Sequence, residues 1–474
     1  MRPLALLAVL CLGSVAFAQA ERYELAARLV AFEKEWDKQT DKDARKRALK
    51  DLPQATTQFF SFQLGKAGQT LDEARFALLS DKPQPDAVLW ATSLYPEVKL
   101  RLVGRGTEVA VTVKQFYTPK VEKPKNVQIS FWFKGTERSN VGVEKVPLKH
   151  TETIPFIYKG PTDLKLTMQV SADGDLLATR TVDVSVIEGA TGEAFPNVEK
   201  LLSELLELKP DASLETASLK DRVSLLKDLA SGTIPESDVP AAKRFAEAEE
   251  MLKVLQNKKS VFTADRPGDH WLSVPTGEKG KTVTPCRLFV PEKLDAKKSV
   301  PLVVAMHGAG GSENMFFESY GAGHIVKLCK ERGWLLVSPR AGLGFGLGGA
   351  PPVGDLIDEL AKRYPIDPKR VFIVGHSMGA SMTVNAVQQW PGKFAAAACL
   401  GGGGSVRKPD AFADLPVFVG VGDKDFALKT AKGLQTALDK TKAKVTFKEY
   451  PDVEHLVIVR EALGDVFDLF DKVK

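Results

Sequence analysis

The chain has 474 residues, of which 44% are hydrophobic and 26% are charged, and this composition excludes a wholly disordered, collagen-like or coiled-coil protein. At roughly 150 residues per domain, the length predicts about three folding units. The net charge of +5 is too small to indicate a nucleic-acid partner or an acidic membrane surface.

The N-terminus has the features of a signal peptide. Arg2 precedes an apolar run at residues 4–15 that is too short to span a bilayer, and Ala16 and Ala18 fit a small-residue cleavage site. An N-terminal membrane anchor is the alternative, but no second long apolar stretch follows. We therefore predict a signal peptide at residues 1–20, export to the periplasm or the medium, and no stable membrane insertion after cleavage.

Cysteine usage does not indicate a functional site. Removal of the leader leaves Cys286, Cys329 and Cys399, which lie in apolar surroundings without C-x-x-C spacing. His324 is the one histidine near any of them, which is too little for a metal site. We predict separate buried thiols and neither a metal ion nor a cofactor.

The next 240 residues show three successive patterns. A helical segment is predicted at 21–90, with one amphipathic helix within 21–52. Apolar residues then alternate with a period of two, which predicts an all-β, immunoglobulin-like sandwich at 95–190. Helical periodicity returns at 192–258, where we predict three helices, with Asn197 and Asp238 as candidate N-caps.

Residues 262–474 are predicted to form a mostly parallel sheet flanked by helices, because short apolar runs alternate there with helical patterns. The predicted strands are 286–290, 302–306, 335–337, 371–374, 395–400, 417–421 and 445–447. The predicted helices are near 319–332, 353–364, 378–389, 427–440 and 456–471. The whole chain is thus predicted to be multidomain.

The sharpest motif is Gly-His-Ser-Met-Gly at 375–379, between the predicted strand at 371–374 and a helical pattern. A G-x-S-x-G sequence in this position makes a tight strand-to-helix turn that exposes the serine, and its glycines avoid the crowding that a Cβ atom would cause. Ser377 is therefore the candidate nucleophile. The alternative is a turn serine that caps a helix.

The loop His-Gly-Ala-Gly-Gly at 307–311 follows another predicted strand, where half of an oxyanion hole is expected. The backbone N–H groups of Ala309, or less favourably Gly310, and of Met378 are the candidate donors. His307 is interpreted as a structural residue of this loop rather than a base. His307, Gly310 and Phe345 are also candidate residues of a substrate pocket.

The candidate base and acid follow from chain order. His455 is the one histidine after Ser377, and it lies just past the last predicted strand. Asp425 follows the preceding strand and is the predicted acid, with Asp423 as the alternative. The order serine, aspartate, histidine is that of α/β-hydrolases, in which the carboxylate orients the imidazole.

A second glycine-rich segment, at 344–349, matches G-x-G-x-x-G. It begins several residues after its strand, whereas a dinucleotide fingerprint forms the strand-to-helix turn itself. We therefore predict no dinucleotide site. A loop that borders the acyl or alcohol pocket and a plain surface loop both remain open for this segment.

With these motifs, residues from about 285 onward resemble an α/β-hydrolase of the polyhydroxybutyrate-depolymerase and feruloyl-esterase-like group, related to dienelactone hydrolases. The segments that carry the resemblance are 287–291, 301–311, 367–371, 375–379, 422–425 and His455. The resemblance implies hydrolysis of a carboxylic ester through an acyl-serine intermediate without a cofactor. A cysteine nucleophile, as in true dienelactone hydrolases, is absent.

The leading hypothesis is therefore an exported serine esterase that acts on a small-molecule or polysaccharide-linked ester. One alternative is a serine peptidase of prolyl-oligopeptidase type, although about 95 β-residues are too few for the usual propeller of those enzymes. A second alternative is a catalytically silent exported protein that binds carbohydrate or protein. The assembled serine, aspartate and histidine favour the esterase.

Overall fold

The computed structural model describes residues 3–154, 160–187, 195–207, 213–257, 259–295, 297–341 and 351–473. The chain divides into two compact units. The first unit comprises residues 1–29, 57–210 and 219–258, and the second comprises residues 30–56, 211–218 and 259–474. In the described part of the chain, no helix combines the length and the apolar character that crossing a membrane requires.

The described residues up to 257 contain eight α-helices. They are α1 Pro3–Lys38, α2 Lys42–Leu49, α3 Pro53–Phe60, α4 Leu64–Leu79, α5 Asp86–Thr92, α6 Phe195–Glu207, α7 Leu214–Ala230 and α8 Ala241–Gln256. The three helices expected at 192–258 are confirmed as α6, α7 and α8. The single helix expected within 21–52 is wrong, because α1 ends at Lys38 and the Asp41 side chain caps a new helix by accepting the Asp43 N–H.

Two mostly antiparallel sheets are formed by the strands that follow α5 and precede α6 in the chain. Their strands are β1 Leu94–Val98, β2 Leu102–Gly104, β3 Glu108–Gln115, β4 Val127–Phe133, β5 Thr136–Gly142, β6 Leu148–Thr153, β7 Thr162–Ala172 and β8 Asp175–Ile187. One sheet has the order β1-β3-β6 and the other the order β2-β8-β7-β4-β5. Buried residues of both sheets, such as Val111 in β3 and Phe131 in β4, belong to one hydrophobic cluster. The immunoglobulin-like sandwich stays a prediction.

The second unit contains an eight-stranded sheet with helices along the chain between its strands. The strands are β9 Gly268–Thr276, β10 Thr282–Val290, β11 Val300–Met306, β12 Leu335–Pro339, β13 Ile366–His376, β14 Ala396–Leu400, β15 Pro416–Gly422 and β16 Lys444–Tyr450. The helices are α9 Met315–Glu318, α10 His324–Arg332, α11 Val353–Ala361, α12 Met378–Gln389, α13 Leu428–Leu438 and α14 Ile458–Asp471. The sheet order is β16-β15-β14-β13-β11-β12-β10-β9. All pairs are parallel except those that β10 makes with β9 and β12, so the mostly parallel α/β sheet is confirmed.

The register of the parallel strands brings their carboxyl ends to one edge of the sheet. Met306 of β11 pairs with Gly375 of β13, and His376 of β13 pairs with Leu400 of β14. The interior strand β14, which lies between β13 and β15, is buried along its whole length, as expected for a parallel strand that is covered on both faces. The loops after β11, β13, β14, β15 and β16 therefore meet at this edge, where open α/β sheets bind ligands.

Candidate active site

Ser377 lies at a tight turn between β13 and α12. It has φ 58° and ψ −117°, a backbone conformation that a residue with a side chain rarely adopts. A Cβ atom on Gly375 would lie 2.0 Å from the carbonyl oxygen of Gly379, and one on Gly379 would lie 1.9 Å from that of Met306. Both glycines are therefore required by close backbone packing, and this packing holds the serine in its strained conformation.

Ser377, His455 and Asp425 form a continuous chain of contacts. His455 Nε2 lies 3.0 Å from Ser377 Oγ, and His455 Nδ1 lies 2.9 Å from Asp425 Oδ1. The same Asp425 oxygen accepts the Ala427 N–H at 2.8 Å, which fixes the carboxylate. The Asp425 side chain is fully buried and that of His455 nearly so, whereas Ser377 is half-buried. Ser377, Asp425 and His455 follow β13, β15 and β16 respectively, which is the order that the sequence predicts.

Asp423, the alternative acid, has different partners. Its Oδ1 accepts the Val453 N–H at 3.4 Å, and its Oδ2 lies 3.1 Å from Lys424 Nζ. Asp423 thus supports the loop that precedes His455, while Asp425 contacts the imidazole itself. We therefore assign the candidate acid position to Asp425.

The expected oxyanion donors belong to α12 and to the loop after β11. Met378 is the first residue of α12, where backbone N–H groups have no partner within the helix. The loop after β11 also approaches Ser377, because a Cβ atom on Gly308 would lie 3.3 Å from the Cβ atom of Ser377. Ala309 directly follows Gly308, and Met378 directly follows Ser377. The role of these two N–H groups stays a prediction.

Of the three candidate pocket residues, His307 is placed most clearly. Its ring is fully buried, its Nδ1 donates to the Gly308 carbonyl at 2.8 Å, and its Nε2 accepts the Ala341 N–H at 3.0 Å. Burial lowers its pKa, which favours the neutral ring. His307 is thus a structural residue of the loop. Gly310 is half-buried in the same loop with φ 78°, and Phe345 lies outside the described residues.

Tyr320 and His376 link the loop after β11 to the candidate base, and the sequence analysis did not identify this link. The Tyr320 hydroxyl accepts the Gly308 N–H at 3.1 Å and lies 2.9 Å from His376 Nδ1. His376 Nε2 donates to the His455 carbonyl at 3.0 Å, so Nδ1 must accept the tyrosine proton. Burial lowers the pKa of His376 well below its ordinary value, consistent with a neutral ring. The network fixes both Gly308 and the His455 backbone.

Gly401 and Gly402, the first two of four glycines at 401–404, pack closely against the candidate site, and the sequence analysis missed them too. A Cβ atom on Gly402 would lie 2.5 Å from the Ser377 carbonyl oxygen, and one on Gly401 would lie 2.9 Å from Asp425 Oδ2. A run of four glycines directly after a predicted strand was the available signal. It identifies a place where the backbone passes close to other groups.

Two buried carboxyl groups lie beside the site. Burial raises the pKa of Glu454, the neighbour of His455, to about 7. Burial also raises the pKa of Glu33 well above its ordinary value, and the nearby charge of Glu454 adds to this effect. Glu33 Oε2 accepts the Gly321 N–H at 2.9 Å, and Glu454 Oε2 accepts the Leu456 N–H at 2.8 Å. Burial therefore favours the protonated form of both carboxyl groups, and both accept backbone N–H groups of the loops around the candidate base.

No metal-binding group was found in the ranges that the structure describes, where no three His, Cys, Asp or Glu side chains cluster suitably. The glycine-rich segment at 344–349 lies outside those ranges. Cys286, Cys329 and Cys399 are buried, separate thiols, as predicted. Burial raises the pKa of the Cys329 and Cys399 thiols, which disfavours a reactive thiolate.

Comparison with known proteins identifies a family domain in the region that contains these residues. Residues 352–464, which include Ser377, Asp425 and His455, match the dienelactone hydrolase family model. The C-terminal region contains a dienelactone hydrolase family domain. This finding confirms the resemblance inferred from the motifs.

The similar proteins are named as ester hydrolases. The bifunctional acetylxylan esterase/xylanase XynS20E of Neocallimastix patriciarum is 31% identical over 134 residues, which cover 27% of this chain and 20% of that protein. Feruloyl esterase B of Neurospora crassa is 26% identical over 147 residues, covering 28% and 47% respectively. A mutant feruloyl esterase module from Clostridium thermocellum matches in structure with a TM-score of 0.38 and 15% identity, covering 45% and 93%. The matched part thus spans less than half of either sequence relative.

Proposed function

We propose that the chain is an exported serine hydrolase that cleaves carboxylic esters through an acyl-serine intermediate. The observation that carries the proposal is the contact chain from Ser377 Oγ through His455 to Asp425, with distances of 3.0 and 2.9 Å. These are the distances at which a general base can activate a nucleophile.

In the proposed reaction, Ser377 Oγ attacks the ester carbonyl carbon while His455 Nε2 takes the hydroxyl proton. The negative charge that develops on the carbonyl oxygen is stabilised by the N–H groups of Ala309 and Met378. Collapse of the tetrahedral intermediate breaks the bond to the alcohol, which leaves with the proton from His455. Water then attacks the acyl-serine by the same route and releases the acid. Asp425 holds Nδ1–H and stabilises the imidazolium.

The relatives' names support an ester as the substrate class, since they include acetylxylan and feruloyl esterases. A small-molecule or polysaccharide-linked ester remains our proposal for the substrate. Arg2 and the apolar run at 4–15 support export with a signal peptide at 1–20. We further propose that residues 95–190 form the expected β-sandwich and serve as an accessory domain.

Covalent labelling of the purified mature protein with a fluorophosphonate tests the nucleophile without assuming a substrate. Peptide mass spectrometry should place the label on Ser377, and Ser377→Ala should abolish labelling while leaving the circular dichroism spectrum unchanged. Ser405→Ala is the matched control, because Ser405 is exposed and lies outside the contact chain. Absence of labelling in the folded protein would refute the proposal and favour a silent binding protein. Labelling combined with cleavage of peptides but not esters would favour the peptidase.

A further inference from the structure

Phe426 is a large apolar side chain that is 63% exposed, although it follows the buried Asp425 directly. Its ring centroid lies 4.3 Å from that of His455, with 43° between the ring planes. Single exposed apolar residues are common on protein surfaces. Phe426 differs because it places an exposed aromatic face against the imidazole that the proposed reaction uses.

The mechanism determines which part of an ester would lie near this face. His455 Nε2 must reach the oxygen of the leaving alcohol to return the proton to it, so the alcohol lies on the imidazole side of the intermediate. The carbonyl oxygen lies on the other side, toward the N–H groups of Ala309 and Met378. The alcohol portion therefore passes beside the ring that contacts His455.

We propose that Phe426 is a specificity-determining residue that binds the alcohol portion of the ester and favours alcohols that carry a ring with an apolar face. This inference rests on the proposed esterase function. A phenyl ring has no hydrogen-bonding group, so it selects by contact with flat apolar surface and by ring stacking. An alcohol as small as methanol cannot reach across that face.

The second neighbour of His455 shows that Phe426 is not needed merely to hold the base. His376 packs against the same imidazole with ring centroids 4.6 Å apart, and it is buried and bonded to the His455 carbonyl. Asp425 fixes the Nδ1 side of the ring. The base is thus oriented by buried groups, which leaves the exposed face of Phe426 available to a substrate.

The test compares methyl and benzyl esters of the same short acid, because their alcohols are similar as leaving groups and differ in the ring. In Phe426→Ala, kcat/KM for the benzyl ester should fall about 10-fold, which corresponds to about 1.4 kcal/mol, while the value for the methyl ester changes little. The loss should appear chiefly in KM. Phe426→Tyr keeps the ring and should keep the benzyl preference.

Val283→Ala is the matched control, because Val283 is 50% exposed on β10, five strand positions from β15 in the sheet. It should alter neither ester. An equal loss of kcat/KM for both esters in Phe426→Ala would show that the residue only positions His455. Unchanged kcat/KM values for both esters would show that it does not touch the alcohol. Either result overturns the inference. Methyl-ester turnover with normal fluorophosphonate labelling of Ser377 would leave the proposed function standing in both cases. Absence of labelling in the wild-type protein would refute the function and this inference together.

Discussion

Replacement of Asp425 by asparagine tests whether this residue, which has the most buried side chain of the three, is the acid of the site. The carboxylate oxygen Oδ1 accepts two hydrogen bonds, from His455 Nδ1 at 2.9 Å and from the Ala427 N–H at 2.8 Å. An asparagine oxygen in the same place can keep both bonds but carries no charge to stabilise the imidazolium. If the amide group flips by about 180°, its NH2 group faces the His455 Nδ1–H and the Ala427 N–H, and His455 must adopt the wrong tautomer.

Either arrangement removes most of the contribution of the acid. The equivalent substitution in a serine protease lowers kcat about 10⁴-fold, which corresponds to about 5 kcal/mol of transition-state stabilisation. Asp425 Oδ2 is also buried, without a hydrogen-bond partner among the described residues. An NH2 group there would leave donors unsatisfied at a cost of about 1–3 kcal/mol in the free energy of unfolding. We expect a folded, less stable and nearly inactive protein.

Asp423→Asn is the matched control, because this residue lies two positions away and its side chain is 27% exposed. An asparagine can still accept the Val453 N–H, so we expect kcat/KM to stay within several-fold of the wild-type value. The assay is turnover of a chromogenic short-acyl ester, together with urea denaturation to measure stability. Loss of less than 10-fold in Asp425→Asn, or an equal loss in Asp423→Asn, would refute the assignment of the acid.

Three further predictions follow from close packing, burial and the hydrogen-bond network. Gly379→Ala should lower the free energy of unfolding by at least about 3 kcal/mol, because the added Cβ atom would collide with the backbone of Met306. Gly464→Ala is the control, because a Cβ atom there meets open space in α14, and it should leave the free energy of unfolding unchanged or raise it by up to about 1 kcal/mol. Urea denaturation measures both. Because burial raises the pKa of Glu454 from 4.5 to about 7, the native state holds a proton that the unfolded state releases, so stability should fall as pH rises across this window. Glu454→Gln should reduce that slope in urea midpoints measured at pH 5 and 7, and an unchanged slope would contradict the pKa. Tyr320→Phe leaves a buried N–H and His376 without their partner, so thermal or urea denaturation should show a loss of about 1–3 kcal/mol.

The C-terminal fold could be predicted because its strands are covered on both faces. A parallel strand of this kind needs a continuous apolar run, and β14 is buried at all five positions. The functional order was also readable, since the loops at the carboxyl ends of parallel strands meet at one edge. Ser377, Asp425 and His455 each follow such a strand, so chain order alone indicated that they would meet.

Helix boundaries in the first unit could not be read in the same way, because they depend on distant residues. Asp238 was the predicted cap of α8, yet its carboxylate accepts the Tyr23 hydroxyl at 2.5 Å. The cap comes instead from Asp163 of β7, which accepts the N–H groups of Ala242 and Lys243 at 2.8 and 3.2 Å. Asn197 is not a cap either, since α6 begins at Phe195. A local rule cannot identify a partner 79 residues away.

The same limit explains why Tyr320 was missed. Nothing in its local sequence separates it from an ordinary buried tyrosine, and its importance comes from lying between Gly308 and His376. The glycines at 401–404 did carry a local signal, but their reason is spatial, since Gly402 packs against the Ser377 carbonyl. Sequence motifs thus reveal the candidate reactive groups more easily than they reveal the residues that position those groups.

The two rings that pack against His455, those of His376 and Phe426, are expected to affect different properties, namely turnover and selectivity. His376 is buried, neutral and bonded to the His455 backbone, so a change there or at Tyr320 alters the position of the base for every substrate. Phe426 has an exposed side chain without a hydrogen-bonding group, so a change there acts on what approaches the base. Tyr320→Phe should therefore lower kcat for methyl and benzyl esters by the same factor, while Phe426→Ala changes their ratio. If both variants changed the ratio equally, the buried and exposed contacts would be acting as one unit, and selectivity could not be altered at Phe426 without loss of turnover.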